Sequence, residues 1–285
     1  MMTPAAAPAR KLVIPRLSDP RLTLATALTT YTILGQTVLY FNRDVTQIVV
    51  ATLAACLADM ALAYAFSRVV LVPLSAYITG LSVGILLESY DIRIYVLASL
   101  WGIASKHFIK DRHGHLFNPS NFAVVSALAL SHGLATVAPG SQWGGAAWIA
   151  VVILALELMM MRRVHRLDLV GSWLAGYFVM AMLRLALGQG GLVFVIGPVA
   201  GAEFALFSFS MLPDPKTSPR SSRARIVWGA GIAVLDGVLR YLEVRYSMFI
   251  SLFAFCALLP LFRRVATRSA AEGEAWNVIE RPLRS

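Results

Sequence analysis

A chain of 285 residues that is 58% hydrophobic and only 14% charged carries more apolar side chain than one globular core of that length can hide, which excludes an ordinary soluble domain. Its net charge of +10 comes from Lys and Arg gathered in short links between apolar runs, the pattern of cytoplasmic loops and not of a nucleic-acid surface. The two cysteines, Cys56 and Cys256, each lie inside an apolar run, which speaks against a disulfide framework or a thiolate metal site.

Residues 1–21 form a basic, Pro/Ala-rich tail with no apolar core, expected on the cytoplasmic side. Ten apolar runs follow, measured against the roughly 20 residues that cross a bilayer. They are Leu22–Phe41, Thr46–Phe66, Pro73–Leu87, Ile94–Ile109, Phe117–Ser131, Gly144–Met161, Leu169–Leu187, Leu192–Met211, Ile226–Leu242 and Ser247–Phe262. Pro73–Leu87 and Phe117–Ser131 are short for a straight crossing, as discontinuous helices around a midplane site are. Ten crossings put both termini on one side, and only Arg43, Arg93, Arg184, Arg240 and Arg245 of the 25 Lys and Arg then fall on or near the other. The expectation is an all-α, multi-pass bacterial inner-membrane protein with both termini cytoplasmic and lipid as its main partner. Residues 22–265 make one transmembrane domain, an inverted repeat of residues 22–131 and 144–265, and residues 266–285 a cytoplasmic tail.

Several polar residues interrupt this apolar background. Proline at a first helical turn forfeits no hydrogen bond, and a preceding Asn caps the free amides, so Phe117-Asn118-Pro119-Ser120-Asn121 reads as a helix start. Buried, such a start presents N–H groups and partial positive charge to an anion or an electron-rich ring; at the interface it is a plain capped helix. Met211 to Pro219 must turn, with Asp214-Pro215 and Thr217-Ser218-Pro219 packing a carboxylate and hydroxyls together, either as a solvated loop or as a site wall. Asp59, Glu157, Glu203 and Asp236 lie deepest in the apolar runs, where ionisable groups face a bundle interior or a cavity. Asp236 and Arg240, four apart, are placed to pair, and Glu203 has no such partner in sequence. His107, His113, His115 and His132 sit at helix ends or in loops, which favours solvated side chains over haem or metal ligation. No phosphate-cradling glycine loop, nucleophile elbow or Cys-x-x-Cys pair occurs.

At these residues the chain resembles the D-type membrane protein of Rnf electron-transport complexes and the related B-type membrane protein of the sodium-pumping NADH:quinone oxidoreductase. The likeness is carried by Thr79-Gly80-Leu81, by Lys106, by Phe117-Asn118-Pro119, by Met211-x-x-Asp214-Pro215-x-Thr217-x-Pro219 and by Phe253-Ala254-Phe255 through Pro260-Leu261-Phe262. It implies a urea-channel-like inverted repeat that holds a flavin, FMN or riboflavin, and passes electrons, with cation movement in the full complexes. On it, Thr79, Lys106, Phe117, Asn118, Pro119, Asn121, Asp214 and Thr217 are candidate flavin-site residues, and the depth of Glu203 adds that carboxylate to the set. The family attaches FMN to the threonine of a Ser/Asp-Gly-Ala-Thr motif after its fifth segment. Thr136, in the corresponding Ser131–Ala147 loop, lacks that setting, and Glu203 and Pro213 are further departures. The expectation is therefore non-covalent flavin, no metal, and a subunit of a membrane oxidoreductase that meets a redox protein at its cytoplasmic side. A channel or carrier for a small solute or flavin, on the same fold without redox work, is the alternative.

Overall fold

The computed structural model of the chain describes residues 11–38, 44–137, 155 and 165–279, apart from residues 18 and 113. The chain is mostly helical, as its composition requires. The first described part contains α1 (Pro20–Thr37), α2 (Val45–Ser67), α3 (Leu74–Leu86), α4 (Ile92–Phe108) and α5 (Pro119–Leu130). The second contains α6 (Leu167–Ala186), α7 (Leu192–Ile196), α8 (Ala202–Leu206), α9 (Ser222–Tyr241) and α10 (Ser247–Ile279). Four of the first five helices open on one device. A short side-chain oxygen, from Asp19, Asp44, Asp91 or Asn118, accepts a first-turn backbone N–H that the helix itself leaves unpaired.

Among the described residues α2 and α6 are long and apolar enough to cross a membrane by length and composition. A third candidate comes as two pieces, Leu192–Ala200 and Glu203–Met211, bent by 65°. The continuous segment expected from Leu192 to Met211 is thus broken. Gly197 and Pro198 open a 3-10 turn, Gly201 is extended, and the chain resumes as α8 and then a π-helical turn, Phe207–Met211. Proline removes one backbone donor and glycine relaxes the backbone, so apolarity alone does not keep this stretch straight. The tenth helix also departs from its expected end at Phe262, running on through Pro260 and the expected tail as far as Ile279. The sixth apolar run, Gly144–Met161, with Glu157, lies outside the described residues save Ala155, as do Arg43, His113 and both chain ends.

The interior is filled by Trp173, Tyr177, Trp228, Tyr95, Phe207 and Phe249, all fully buried. Leu53, Leu57, Leu97, Val179 and Val193 instead point outward, an apolar exterior that suits lipid. Polar contacts gather at the two ends of the helices. At one end Asp59 meets Lys106, Asp111 meets Arg263, Asp168 meets Arg225, and Arg166 Nη1 donates to the Pro219 carbonyl. At the other, Gln47 donates to the Ser89 carbonyl, Thr136 and Tyr246 share a hydroxyl bond, and Asp236 holds Arg240. Short strands tie loops together at both ends, Lys11–Val13 running parallel to Val69–Leu71 and Leu87–Glu88 antiparallel to Thr136–Val137.

Candidate functional site

The helix start at Asn118 and the turn at Asp214 meet. Asn118 Oδ1 accepts the Asn121 N–H at 3.1 Å, which caps α5. Its Nδ2 donates across the molecule to the Met211 carbonyl at 3.4 Å and to Asp214 Oδ2 at 3.3 Å. One amide side chain thus caps α5 and clasps a turn more than 90 residues further along the chain. The turn is held from within, because Asp214 Oδ1 accepts the Lys216 N–H at 3.0 Å and the Asp214 carbonyl accepts the Ser218 hydroxyl at 2.8 Å. Gly102 allows α5 this close to α4, since a Cβ there would lie 2.6 Å from the Pro119 carbonyl oxygen and 2.9 Å from Ala123 Cβ.

A cavity of about 380 Å3 opens between the two turns. Its walls come from the start of α1 (Asp19, Pro20, Arg21, Leu24), from α3 (Ser75, Ile78, Thr79, Ser82), from Ser120 on α5, and from Ser210, Met211 and the Pro213–Lys216 turn. Size and lining, largely apolar with a few converging polar groups, are those of a small-molecule site. Among the described residues the buried Ser210 hydroxyl has no hydrogen-bond partner.

His115 also lines the cavity and is buried. Its Nδ1 lies 2.9 Å from the Phe117 carbonyl oxygen, which can only accept, so Nδ1 carries a proton and Nε2 faces Asp214 Oδ2 at 4.0 Å. Burial pushes the imidazole below its ordinary range, opposed by Asp214 and assisted by Lys216 and Lys106. At neutral pH His115 therefore presents Nε2 as an acceptor.

A second cavity, about 470 Å3, adjoins the first and shares Asp19, Pro20, Arg21 and Ser75 with it. Here Asp59 accepts from Lys106 Nζ at 2.8 and 2.9 Å and lies 2.7 Å from His107 Nε2. The bidentate Arg21 hydrogen bond lowers the Asp19 carboxyl from its ordinary range. Arg21 and Lys106 are thus each matched by a carboxylate, while Arg16 and Lys216 add further positive charge to the walls beside Asp214, so the two cavities form a polar recess of mixed charge.

The structure gathers Thr79, Asn118, Pro119 and Asp214 on one cavity and Lys106 on its neighbour. Phe117, Asn121 and Thr217 stand behind the wall. Phe117 packs on Phe253 and Phe122 with ring centroids 4.7 and 5.2 Å apart, Asn121 Nδ2 donates to the Phe249 carbonyl, and Thr217 is buried against Cys256. Glu203 stands apart, lining a third cavity at the opposite end of the molecule. The expectation of solvated histidines holds for exposed His132 but not for His107 or His115. Asp19 and Arg21, read as tail, belong to the site wall; Asp19-Pro20 has the same cap-then-proline form as Asn118-Pro119 and was legible on that ground. Nothing local in the sequence marks the π turn at Phe207–Met211, a feature that often accompanies functional sites. Among the described residues, no three His, Cys, Asp or Glu side chains converge as metal ligands.

No protein-family model and no curated protein matches the chain.

Proposed function

We propose that this is a membrane electron-transfer subunit that holds a flavin non-covalently between its two interlocking turns. The observation that carries the reading is the Asn118 clasp on Met211 and Asp214 at the edge of a 380 Å3 cavity. The flat ring of a flavin needs apolar walls for its faces and mixed donors and acceptors for its pyrimidine edge. Ile78, Leu24 and Met211 supply the first; His115 Nε2, Thr79, Ser82, Ser120 and the unpartnered Ser210 hydroxyl supply the second. The positive end of α5 favours the reduced, more electron-rich ring. A bound flavin would supply one- and two-electron chemistry; the protein contributes binding, orientation and the exclusion of water.

The finer architecture belongs to the same proposal. Ten crossings in two inverted halves, both termini cytoplasmic in a bacterial inner membrane, and kinship with the Rnf and sodium-pumping oxidoreductase membrane proteins together account for the paired turns and for the two polar ends of the helix set. The electron donor would dock at the basic, cytoplasmic end. Thr136 is bonded to Tyr246 at 2.5 Å, which supports a flavin that is not attached there.

Electron transfer is tested in proteoliposomes that enclose ferricyanide and receive a reduced flavin donor outside. Reduction of the enclosed acceptor that depends on the protein and on added flavin supports the reading, and a rate equal to that of empty vesicles contradicts it. A channel or carrier is favoured by one observation, the presence of large cavities at both ends of the molecule. Protein-dependent uptake of labelled riboflavin without acceptor reduction would select that reading.

A further inference from the structure

The cavity at the end opposite the flavin site is lined by charges that the electron-transfer reading does not use. It measures about 910 Å3, and its charged and amide lining groups are Arg184, Gln189, Glu203, Arg240, Glu243 and Arg245. Arg184 is 5% exposed, and among the described residues no carboxylate lies within ion-pair distance of it. The nearby Asp236 is already engaged on both oxygens, with Arg240 Nε at 2.8 Å and the Ser247 hydroxyl at 2.6 Å. Arg184 is instead fixed from one edge. Its Nε donates to Gln189 Oε1 at 2.6 Å, while Gln189 Nε2 donates to the Tyr241 carbonyl at 2.7 Å. The Phe194 ring lies 6.0 Å from the guanidinium carbon, and Arg240 is near enough to repel the guanidinium electrostatically.

A buried guanidinium without a counter-charge is costly, and proteins keep one mainly where a ligand completes it. The terminal nitrogens of Arg184 are not among the buried groups left without a partner, and among the described residues no hydrogen bond engages them, which leaves them open to the cavity. A planar fork held by its Nε, with two further arginines on the same walls, is the geometry that receives an oxyanion through paired N–H bonds. Glu203 and Glu243 on the same walls oppose this, since any negative charge they carry raises the cost of bringing an anion in, and among the described residues one Glu203 carboxylate oxygen is buried without a partner. We propose that this cavity binds a phosphate oxyanion, carried by a lipid headgroup or by a free small molecule, with Arg184 as its main ligand and Glu203 restraining the affinity.

The proposal is independent of flavin and is tested on the full chain in neutral detergent by calorimetric titration with inorganic phosphate. A second arm uses nanodiscs of phosphatidylcholine with or without phosphatidylglycerol, and counts retained anionic lipid by native mass spectrometry. Phosphate binding in the first arm identifies a free anion, and selective retention of phosphatidylglycerol alone identifies a headgroup; either supports the site. Arg184→Gln is expected to weaken binding about tenfold, the worth of one charge-assisted bond. Should that variant fail to fold, the more exposed Arg245→Gln and the charge-removing Glu203→Gln keep the test open. The first is expected to weaken binding and the second to tighten it, opposite signs that a merely structural role would not give. Binding of neither probe, or binding indifferent to all three substitutions, overturns the proposal.

Discussion

Asn118 does two separable things, and a short series of substitutions takes them apart. Its Oδ1 caps α5, and its Nδ2 bridges to Met211 and Asp214. Loss of a cap costs about 1 kcal/mol. Bonds at 3.3 and 3.4 Å lie at the long end of useful geometry, so the bridge is worth about 0.5 kcal/mol per bond. Asn118→Ser keeps a capping oxygen and loses only the bridge, for about 1 kcal/mol, whereas Asn118→Ala loses both, for about 2 kcal/mol. Asn118→Asp also caps, but turns a donor into a charge against Asp214 and is expected to separate the turns more than serine does. If the cost falls wholly on ligand affinity, the alanine variant binds flavin about thirtyfold less tightly and the serine variant about fivefold, since about 1.4 kcal/mol is a factor of ten. Thermal unfolding in detergent and flavin fluorescence titration read the two effects. An aspartate variant that melts and binds like the parent protein at a pH high enough to ionise both carboxyls would refute the clasp, because two facing carboxylates cannot reproduce the amide's donation.

Other substitutions probe the surroundings of the site. Asp59→Ala leaves Lys106 and His107 facing each other without a counter-charge and is expected to cost about 3 kcal/mol, while Asp59→Leu combined with Lys106→Met recovers most of it, both read as melting temperature. Gly102→Ala drives a methyl into the Pro119 carbonyl and Ala123, and is expected to cost about 2 kcal/mol of overpacking and to weaken flavin binding by displacing α5. His115 has its titration lowered by burial, so as pH falls through its ordinary value near 6.5 the unfolded chain takes up a proton that the folded chain refuses. Stability is therefore expected to fall with pH below about 6.5, and His115→Asn, which keeps a donor for the Phe117 carbonyl, to make the fall shallower in melts taken across that range.

Local rules made parts of this molecule legible in the sequence. Asn118-Pro119 announced a capped helix start, and the 3.6-residue period placed Asp236 and Arg240 within reach, as their 2.8 Å contact shows. Contacts between distant segments were not legible. Asp59 and Lys106 are 47 residues apart, and a basic residue at a helix end reads the same whether it faces water or a buried carboxylate. The solvated reading of His107 and His115 failed for that reason. Glu203 stands out in the sequence as a carboxylate with no local partner, yet its apolar setting alone does not separate its cavity from that of Asn118, since the break at Gly197-Pro198 and Gly201 decides which way its helix points. Apolarity summed over a window hides such a break; the glycines and proline themselves would have shown it.

On the proposed reading a flavin is held without a covalent bond between the Asn118 and Asp214 turns. The most direct test of this is the visible spectrum of gently purified protein, supplied with riboflavin or FMN, before and after acid precipitation. The expected result is flavin that travels with the folded protein, passes wholly into the supernatant on precipitation, and is lost from an Asn118→Ala/Asp214→Ala variant that still folds. Protein that binds neither flavin, or flavin that stays with the precipitate, would contradict it.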